Sequence, residues 1–185
     1  MLLASPFVFM RHGETPLNRD GLIGGSTDVP LTRLGEDQAR SARPLLERPW
    51  SKVVTSSLLR ARQTTELAVP GQDFASLAGL DERDWGQLEC APLAHQPPYM
   101  SIPPGGESWE SFEARVVAAL NATLAAHPYP LIIAHSGVYR VIQRLVRGRP
   151  EGPRLPNARP LLIRPGPLGW TFHLLGNHDD RQDIL

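Results

Sequence analysis

The stretch Phe7-Val8-Phe9-Met10-Arg11-His12-Gly13-Glu14-Thr15 decides how the rest of the chain is interpreted. Its first four residues are apolar and are followed by polar residues and glycine, which predicts a short buried β-strand. His12 then stands at the carboxyl end of that strand, where open α/β sheets bind their ligands. Arg11 offers a forked donor suited to phosphate, and Gly13 lets the backbone approach a bound group. From this stretch alone, a polar loop with an incidental histidine remains an alternative.

The segments that follow predict alternating strands and helices. Thr32 has the character of a helix N-cap, and the helix after it is expected to run to about residue 47, ending or kinking near Pro44. The other expected elements are strands at 52–55, 73–77, 131–134, 160–163 and 169–174, and helices at 57–68, 108–127 and 137–147. Residues 81–106 are expected to form a long irregular segment, and the tail from Gly176 is expected to be exposed.

This order of elements predicts one α/β domain spanning residues 1–185. Strands alternating with helices imply parallel pairing, and the late closing pair of strands is expected to be antiparallel. The predicted fold is therefore a three-layer α/β/α sandwich with a mostly parallel, mixed central sheet. Five apolar residues recur at helical spacing and are interpreted as core rather than substrate contacts: Trp109, Phe112, Val116, Leu120 and Leu124.

Composition limits the class of partner. The formal net charge is zero over 185 residues, which argues against a broad nucleic-acid or membrane-binding surface. The apolar first ten residues lack an early Lys or Arg and a cleavage signal, and no run is long enough to cross a bilayer. The single cysteine, Cys90, suits a reducing cytoplasm. We therefore predict a cytoplasmic protein; the sequence does not indicate its oligomeric state.

Two histidines, His12 and His135, are each expected at the end of a buried strand. Arg11 and Arg60 would flank the same face if the strands are neighbours. The helix that begins at Ser136 would add backbone N–H groups and a positive dipole end. Together these residues predict a small pocket of positive charge and donors, shaped for a phosphoryl group.

Five segments, in this order, resemble the histidine phosphatase superfamily, also called the phosphoglycerate mutase-like family. They are Arg11-His12-Gly13-Glu14-Thr15, Ser56-Ser57-Leu58-Leu59-Arg60-Ala61-Arg62-Gln63-Thr64, Leu80-Asp81-Glu82-Arg83-Asp84-Trp85-Gly86, Pro104-Gly105-Gly106-Glu107-Ser108 and Ala134-His135-Ser136-Gly137. One such segment is weak evidence, whereas five in order are strong. The resemblance runs from the first strand to His135 and beyond it towards the end of the chain.

The resemblance implies a phosphohistidine mechanism in which His12 is the nucleophile. Neighbouring arginines should keep His12 neutral, and a backbone carbonyl should fix its tautomer. Arg11, Arg60 and His135 would hold the equatorial phosphoryl oxygens.

The resemblance also implies that Glu82 is the proton donor. Asp81 and Asp84 are competitors for this role, and a solvated loop carboxylate is the alternative interpretation of Glu82. Arg62 and Arg83 are equally consistent with surface or salt-bridge positions.

Further candidates for binding the phosphate or the substrate are weaker. Asn18 matches a substrate-contacting residue of the family, and Ser136 stands where the family often has a second glycine. The full set of these candidates is Asn18, Thr15, Gly25, Ser136 and Gly137.

Two other kinds of site are disfavoured by the same residues. His12, His135 and Glu82 would be a legitimate metal-ligand set, but two arginines beside them would repel a divalent cation. A serine hydrolase is disfavoured because Ser136 lies in no Gly-x-Ser-x-Gly elbow. We therefore expect no metal and no cofactor.

The predicted function is hydrolysis of a small phosphate monoester. Residues 90–106 contain no Lys or Arg, whereas mutases of the family use a longer basic insertion there to hold a sugar acid. A mutase with the same chemistry is one alternative. A regulatory phosphatase or binding module for phosphoprotein or phosphohistidine is another, disfavoured by the complete catalytic set. The family also includes cobalamin-pathway phosphatases that act on ribazole phosphate, so the resemblance makes ribazole phosphate one candidate substrate.

Overall fold

The computed structural model describes residues 1–176, which build a six-stranded sheet with strand order β3-β2-β4-β1-β5-β6. The strands are β1 Phe7–Arg11, β2 Val53–Ser56, β3 Phe74–Leu77, β4 Leu131–Ala134, β5 Pro160–Gly166 and β6 Gly169–Leu174. The first four strands pair in parallel, and β5 and β6 join antiparallel at one side. The predicted mostly parallel, mixed sheet is therefore confirmed, with the closing strand β5 longer than expected.

Helices cover both faces of the sheet. They are α1 Pro16–Arg19, α2 Arg33–Ser41, α3 Arg43–Leu46, α4 Leu59–Ala68, α5 Trp109–Ala126 and α6 Ser136–Arg147, with short 3₁₀ turns at Ala78–Leu80, Gly86–Leu88 and Leu93–His95. Thr32 and Ser108 cap α2 and α5 through their side chains, as predicted. None of the helices in residues 1–176 is long and apolar enough to span a membrane.

The helix expected after Thr32, ending or kinking near Pro44, is interrupted and forms two helices. The chain breaks after Ser41, and Pro44 lies in the first turn of the separate helix α3. The physical reason is that proline lacks an N–H and clashes inside a helix, but fits the first turn.

Alternation along the strands divides the apolar residues between two cores. Phe7, Phe9 and Ile132 point to one face, where they pack with α5 and α6. Val8, Met10 and Ile133 point to the other. The five residues predicted as core on α5 are buried in the first cluster. The tail expected to be exposed lies, beyond Gly176, outside the described residues.

The strand register decides where the functional side chains meet. Arg11 is opposite Ala134 in the β1–β4 pair, and the ladder continues because His12 N donates to Ala134 O over 3.0 Å. Thr55 of β2 is opposite Ile133 on the other side of β4. The carboxyl ends of β1, β4 and β2 therefore lie side by side, which brings His12, His135 and the start of α4 together.

Candidate active site

His12 and His135 lie against each other, with ring centroids 5.1 Å apart. His12 Nδ1 is 2.7 Å from Gly13 O, so Nδ1 carries the proton and donates to that carbonyl. The loop is held in place by Gly13 N, which donates to Thr64 Oγ1 over 3.0 Å. This arrangement leaves His12 Nε2 as an unprotonated nitrogen, the state that a nucleophile requires.

The pKa of His12 is held well below its ordinary value, firstly by burial and then by the charges of Arg60 and Arg11. The pKa of His135 is lowered in the same way, with burial again the largest cause. The sequence pointed to the arginines, whereas the structure makes exclusion from water the larger effect. Both imidazoles are consequently neutral near pH 7 in the unliganded protein.

The two arginines are buried and donate to backbone carbonyls. Arg60 donates to Thr27 O over 2.9 Å and to Gly25 O over 2.7 Å. Arg11 donates to Leu155 O over 3.2 Å, and its buried Nε has no partner in the described chain. Burial lowers the pKa of Arg11 to about 10, so it stays charged at neutral pH. The site thus holds two permanent positive charges, and the Arg11 Nε–H group is a donor without a partner among residues 1–176.

Glu82 is a buried carboxyl, which makes the solvated-loop interpretation wrong. Its two oxygens accept from Gly137 N over 2.8 Å and from Arg83 N over 2.9 Å. Burial raises the pKa of Glu82, although those two hydrogen bonds and the nearby arginines act in the opposite direction. A Cβ at residue 137 would collide with the Glu82 carboxylate, so the close approach requires glycine there.

Asp81 and Asp84, the rival carboxylates, are occupied elsewhere. Asp81 accepts from Ser56 Oγ over 2.6 Å and from Ser57 N over 2.7 Å. Asp84 accepts from Gly86 N over 2.8 Å. Neither side chain lines the pocket that contains Glu82.

The weaker candidates divide into two groups. Thr15, Asn18 and Ser136 line the pocket, and Ser136 Oγ is buried with no partner among residues 1–176. Gly25 does not line it: its carbonyl accepts from Arg60 and its N–H donates to Glu89 over 3.2 Å. Gly137 lines the pocket, but its N–H is already engaged by Glu82.

Three residues in structurally important positions were missed or misread from sequence. Asn157 donates to His12 O over 2.9 Å and to Asn18 Oδ1 over 3.2 Å. Arg83 is fully buried rather than at the surface, and donates to the carbonyls of Glu107, Tyr99 and Ser101. No local pattern marks Asn157 or the burial of Arg83, because both depend on contacts with other segments of the chain.

The third is Arg154, at the outer end of the pocket. Its positive charge helps to lower the pKa of Arg11, and its side chain approaches Gln96 Oε1 at 3.5 Å. The neighbouring walls are largely apolar or aromatic, formed by Leu17, Leu22, Ile23, Val29, Trp85, Leu93 and Tyr99. Residues 90–106 contain no Lys or Arg, but Arg154, from the loop before β5, places a cation at the pocket. The absence of Lys and Arg from residues 90–106 therefore does not leave the pocket without a further cation.

These features agree with the protein's relatives. A family model of the histidine phosphatase superfamily (branch 1) matches residues 7–178, and the chain belongs to that superfamily. The Bacillus subtilis strain 168 protein named uncharacterized phosphatase PhoE is 33% identical over 162 residues, covering 80% of this chain and 82% of its own. The adenosylcobalamin/alpha-ribazole phosphatase of Salmonella typhimurium strain LT2 is 32% identical over 152 residues, covering 72% of this chain and 75% of its own.

A solved structure extends the comparison to the mutases. The crystal structure of phosphoglycerate mutase from Thermus thermophilus superimposes with a TM-score of 0.75 at 32% identity. The match covers 92% of this chain and 98% of that one. The fold is therefore phosphoglycerate mutase-like, and the relatives include both phosphatases and mutases.

The buried neutral histidines predict a stability that falls with acidification. Because the folded pKa values are depressed, the unfolded chain takes up protons below about pH 6.5 that the folded protein does not. Each histidine should contribute a slope of at most about 1.4 kcal/mol per pH unit. Urea unfolding between about pH 7.5 and about pH 5.5 measures that slope.

The slopes of unfolding free energy against pH have to be compared between variants, because Glu82 also contributes to the slope. Its raised pKa makes the folded protein more stable as the pH falls, which opposes the effect of the histidines. His135→Gln should flatten the loss of unfolding free energy towards acid pH. The control His95→Gln removes an exposed imidazole and should keep the wild-type slope. A His135→Gln slope equal to that of wild type would contradict a neutral buried His135.

Proposed function

We propose that this protein is a metal-independent phosphomonoesterase that acts on a small phosphorylated metabolite through a phosphohistidine at His12. The observation that carries the proposal is the free Nε2 of His12, beside Arg11, Arg60 and His135 and in the same pocket as Glu82. We assign the activity to one domain over residues 1–185 and to the cytoplasm.

In the first step, His12 Nε2 attacks phosphorus, so that an N–P bond forms as the bond to the leaving oxygen breaks. Arg11 and Arg60 hold the equatorial oxygens and stabilise the negative charge that they carry in the transition state. Glu82, whose raised pKa favours the protonated acid, donates its proton to the leaving oxygen. The alcohol then departs.

In the second step, water attacks the phosphohistidine. The carboxylate of Glu82, now ionised, accepts a proton from that water as the N–P bond breaks. Inorganic phosphate leaves, and His12 and Glu82 return to their starting states. Gly137 and Arg83 hold the Glu82 carboxylate through their backbone N–H groups, and therefore keep one carboxyl in place for both steps.

We assign smaller roles to the other lining residues. Ser136 Oγ and Arg11 Nε are buried donors without a partner in the described chain, as expected of groups that wait for phosphoryl oxygens. Thr15 and Asn18 shape the same wall. Gly25 supports Arg60 from behind through its carbonyl, a positioning role rather than the direct phosphate contact first expected.

The substrate's organic part would lie against the apolar and aromatic outer walls. Phosphatase activity is supported by the two phosphatase relatives, and by a loop at residues 90–106 that carries no Lys or Arg. The mutase alternative gains support from Arg154, which can pair with a carboxylate on the substrate. A ribazole phosphate fits the named activity of one relative. The binding-module alternative is disfavoured by the assembled nucleophile and acid.

The nucleophile is tested by His12→Ala. This variant should lose hydrolysis of an aryl phosphate and should carry no acid-labile phosphate label after rapid quenching. Wild-type activity should survive exhaustive chelation, because the scheme uses no metal. Persistent labelling of His12→Ala, or activity that disappears with chelator and returns with a divalent cation, would overturn the scheme.

The acid is tested by comparing leaving groups. Glu82→Gln should slow hydrolysis of an alkyl phosphate by about 10²–10⁴-fold, because an alkoxide needs the proton. A nitrophenolate departs unaided and should lose much less. Asp84→Asn is the matched control, since its carboxylate lies outside the pocket, and should change both rates little. Equal losses for both substrates in Glu82→Gln would remove the acid role from Glu82.

Phosphatase and mutase are separated by supplying 3-phosphoglycerate and following free phosphate and 2-phosphoglycerate together. We expect free phosphate to appear faster, because residues 90–106 provide no basic lid to exclude water. Faster formation of the isomer would identify a mutase and leave the assignment of His12 intact.

The same substrate tests Arg154. Arg154→Gln should raise KM for 3-phosphoglycerate by roughly two- to fivefold, the range of an exposed ion pair. KM for glycerol 3-phosphate, which lacks the carboxylate, should change less. Arg149→Gln, an exposed arginine of the same loop, is the control. Equal effects of Arg154→Gln on both substrates would show that Arg154 does not bind the substrate carboxylate.

A further inference from the structure

A chain of three hydrogen-bonded side chains runs from the loop after β3 to the active site. Asp81 Oδ1 lies 2.6 Å from Ser56 Oγ, and Ser56 Oγ lies 2.6 Å from His135 Nε2. Ser56 ends β2, His135 follows β4, and the two strands are neighbours in the sheet. Ser56 and His135 are fully buried. The phosphohistidine scheme proposed above gives no task to Asp81 or Ser56.

The positions of the protons in this chain follow from counting donors. Asp81 also accepts from Ser57 N over 2.7 Å and from Ser57 Oγ over 2.6 Å, so both of its carboxyl oxygens act as hydrogen-bond acceptors. Ser56 Oγ must therefore donate its single proton to Asp81. One lone pair of Ser56 Oγ accepts from Leu58 N over 3.2 Å, and the other is left for His135. His135 Nε2 consequently carries a proton and donates it to Ser56.

This tautomer decides what His135 can offer to a ligand. In a neutral ring with its proton on Nε2, the other nitrogen, Nδ1, carries a lone pair. Nδ1 is buried and has no hydrogen-bond partner among residues 1–176. A lone pair repels a phosphoryl oxygen, so His135 can donate to a phosphoryl group from Nδ1 only as an imidazolium.

We propose that Asp81 and Ser56 are positioning residues that fix a proton on His135 Nε2 and thereby couple phosphoryl binding to the uptake of one proton at His135 Nδ1. The coupling rests on the proposed function insofar as the ligand is a phosphoryl group. The proton comes from solvent or from a substrate monoanion, and it is released again when phosphate leaves. No bond other than N–H forms or breaks.

The charges around His135 make such a coupling workable. Arg60 from α4, Arg11 and His12 from the end of β1, and Arg115 from α5 all disfavour a cation at His135 in the empty site. Glu82 in the same pocket can become a carboxylate, and Asp81 provides a negative charge through Ser56. A bound phosphoryl dianion adds two further negative charges beside Arg11 and Arg60. Binding therefore shifts the balance towards the imidazolium, and Asp81 makes that shift less costly.

The test on the wild-type protein needs no turnover. Tungstate is the probe, because it mimics phosphate and stays a dianion near neutral pH. Nitrogen-15 NMR of the histidine rings should show His135 with a protonated Nε2 and an unprotonated Nδ1 in the free protein. Both nitrogens should be protonated with tungstate bound. Calorimetry in buffers of different ionisation enthalpy should then show uptake of about one proton per tungstate.

Either of two results on the wild-type protein would overturn the proposal. One is a free protein with the proton on His135 Nδ1. The other is a His135 ring that stays neutral when tungstate binds. Aryl phosphate hydrolysis, measured on the same sample, tests the proposed function separately. An active enzyme with the His135 proton on Nδ1 would contradict only the proposed coupling. An inactive protein with that proton on Nε2 would contradict only the phosphatase assignment.

Two variants separate positioning from general structural damage. Ser56→Ala frees the ring to hold its proton on Nδ1, so tungstate should bind with much less proton uptake.

Asp81→Asn keeps an acceptor for Ser56 but loses the charge. It should weaken tungstate binding by about tenfold near neutral pH and move the pH at which binding fails to a lower value. Asp84→Asn, which lies outside the chain of hydrogen bonds, should match wild type in both measurements. Unchanged proton uptake in Ser56→Ala would contradict the role of Ser56, and an unchanged pH profile in Asp81→Asn would contradict that of Asp81.

Discussion

The burial of two guanidinium groups beside two imidazoles is the constraint on which the rest of this structure depends. Removing a charge from water is expensive, and Arg11 and Arg60 have no salt bridge to offset that cost among residues 1–176. They are held instead by the carbonyls of Gly25, Thr27 and Leu155. The two arginines therefore tie the loops that carry these carbonyls to the carboxyl edge of the sheet. A bound phosphoryl group would supply the missing negative charge.

The same positive field acts differently on the histidines and on the carboxyl group of the pocket. It acts with burial to keep the two histidines neutral, and it opposes the burial that favours the protonated form of Glu82. The first step of the scheme proposed for His12 and Glu82 needs a neutral nucleophile and a protonated acid at neutral pH. Protein dipoles, rather than solvent, hold these groups in place. The backbone amides of Arg83 and Gly137 fix the Glu82 carboxylate without adding charge.

Loops far apart in sequence stabilise the segment that contains His12. Asn157 ties the carbonyl of His12 to Asn18, and Thr64 holds the amide of Gly13 from α4. Arg83 binds three carbonyls of the 99–107 segment and stacks on Trp85, with 4.7 Å between its guanidinium carbon and the ring centroid. Preorganisation of this kind reduces the reorganisation that a transition state would otherwise demand.

The sequence by itself determined the strands, most helices and the cluster of His12, Arg11, Arg60 and His135. Those predictions rest on local signals: apolar runs, capping residues, and polar residues at strand ends whose parallel arrangement follows from the order of elements. Burial, long-range hydrogen bonding and the exact position of the helix break, after Ser41, were decided only by the tertiary structure. Glu82 and Asp81 are adjacent carboxylates in the chain, yet one is buried at the pocket and the other is bound to Ser56 and Ser57. Asn157 and Arg154 reach the site from a loop more than a hundred residues away from His12. The physical reason is that solvent exclusion and hydrogen-bond partnership depend on which distant segments the sheet register brings together, which no local pattern encodes.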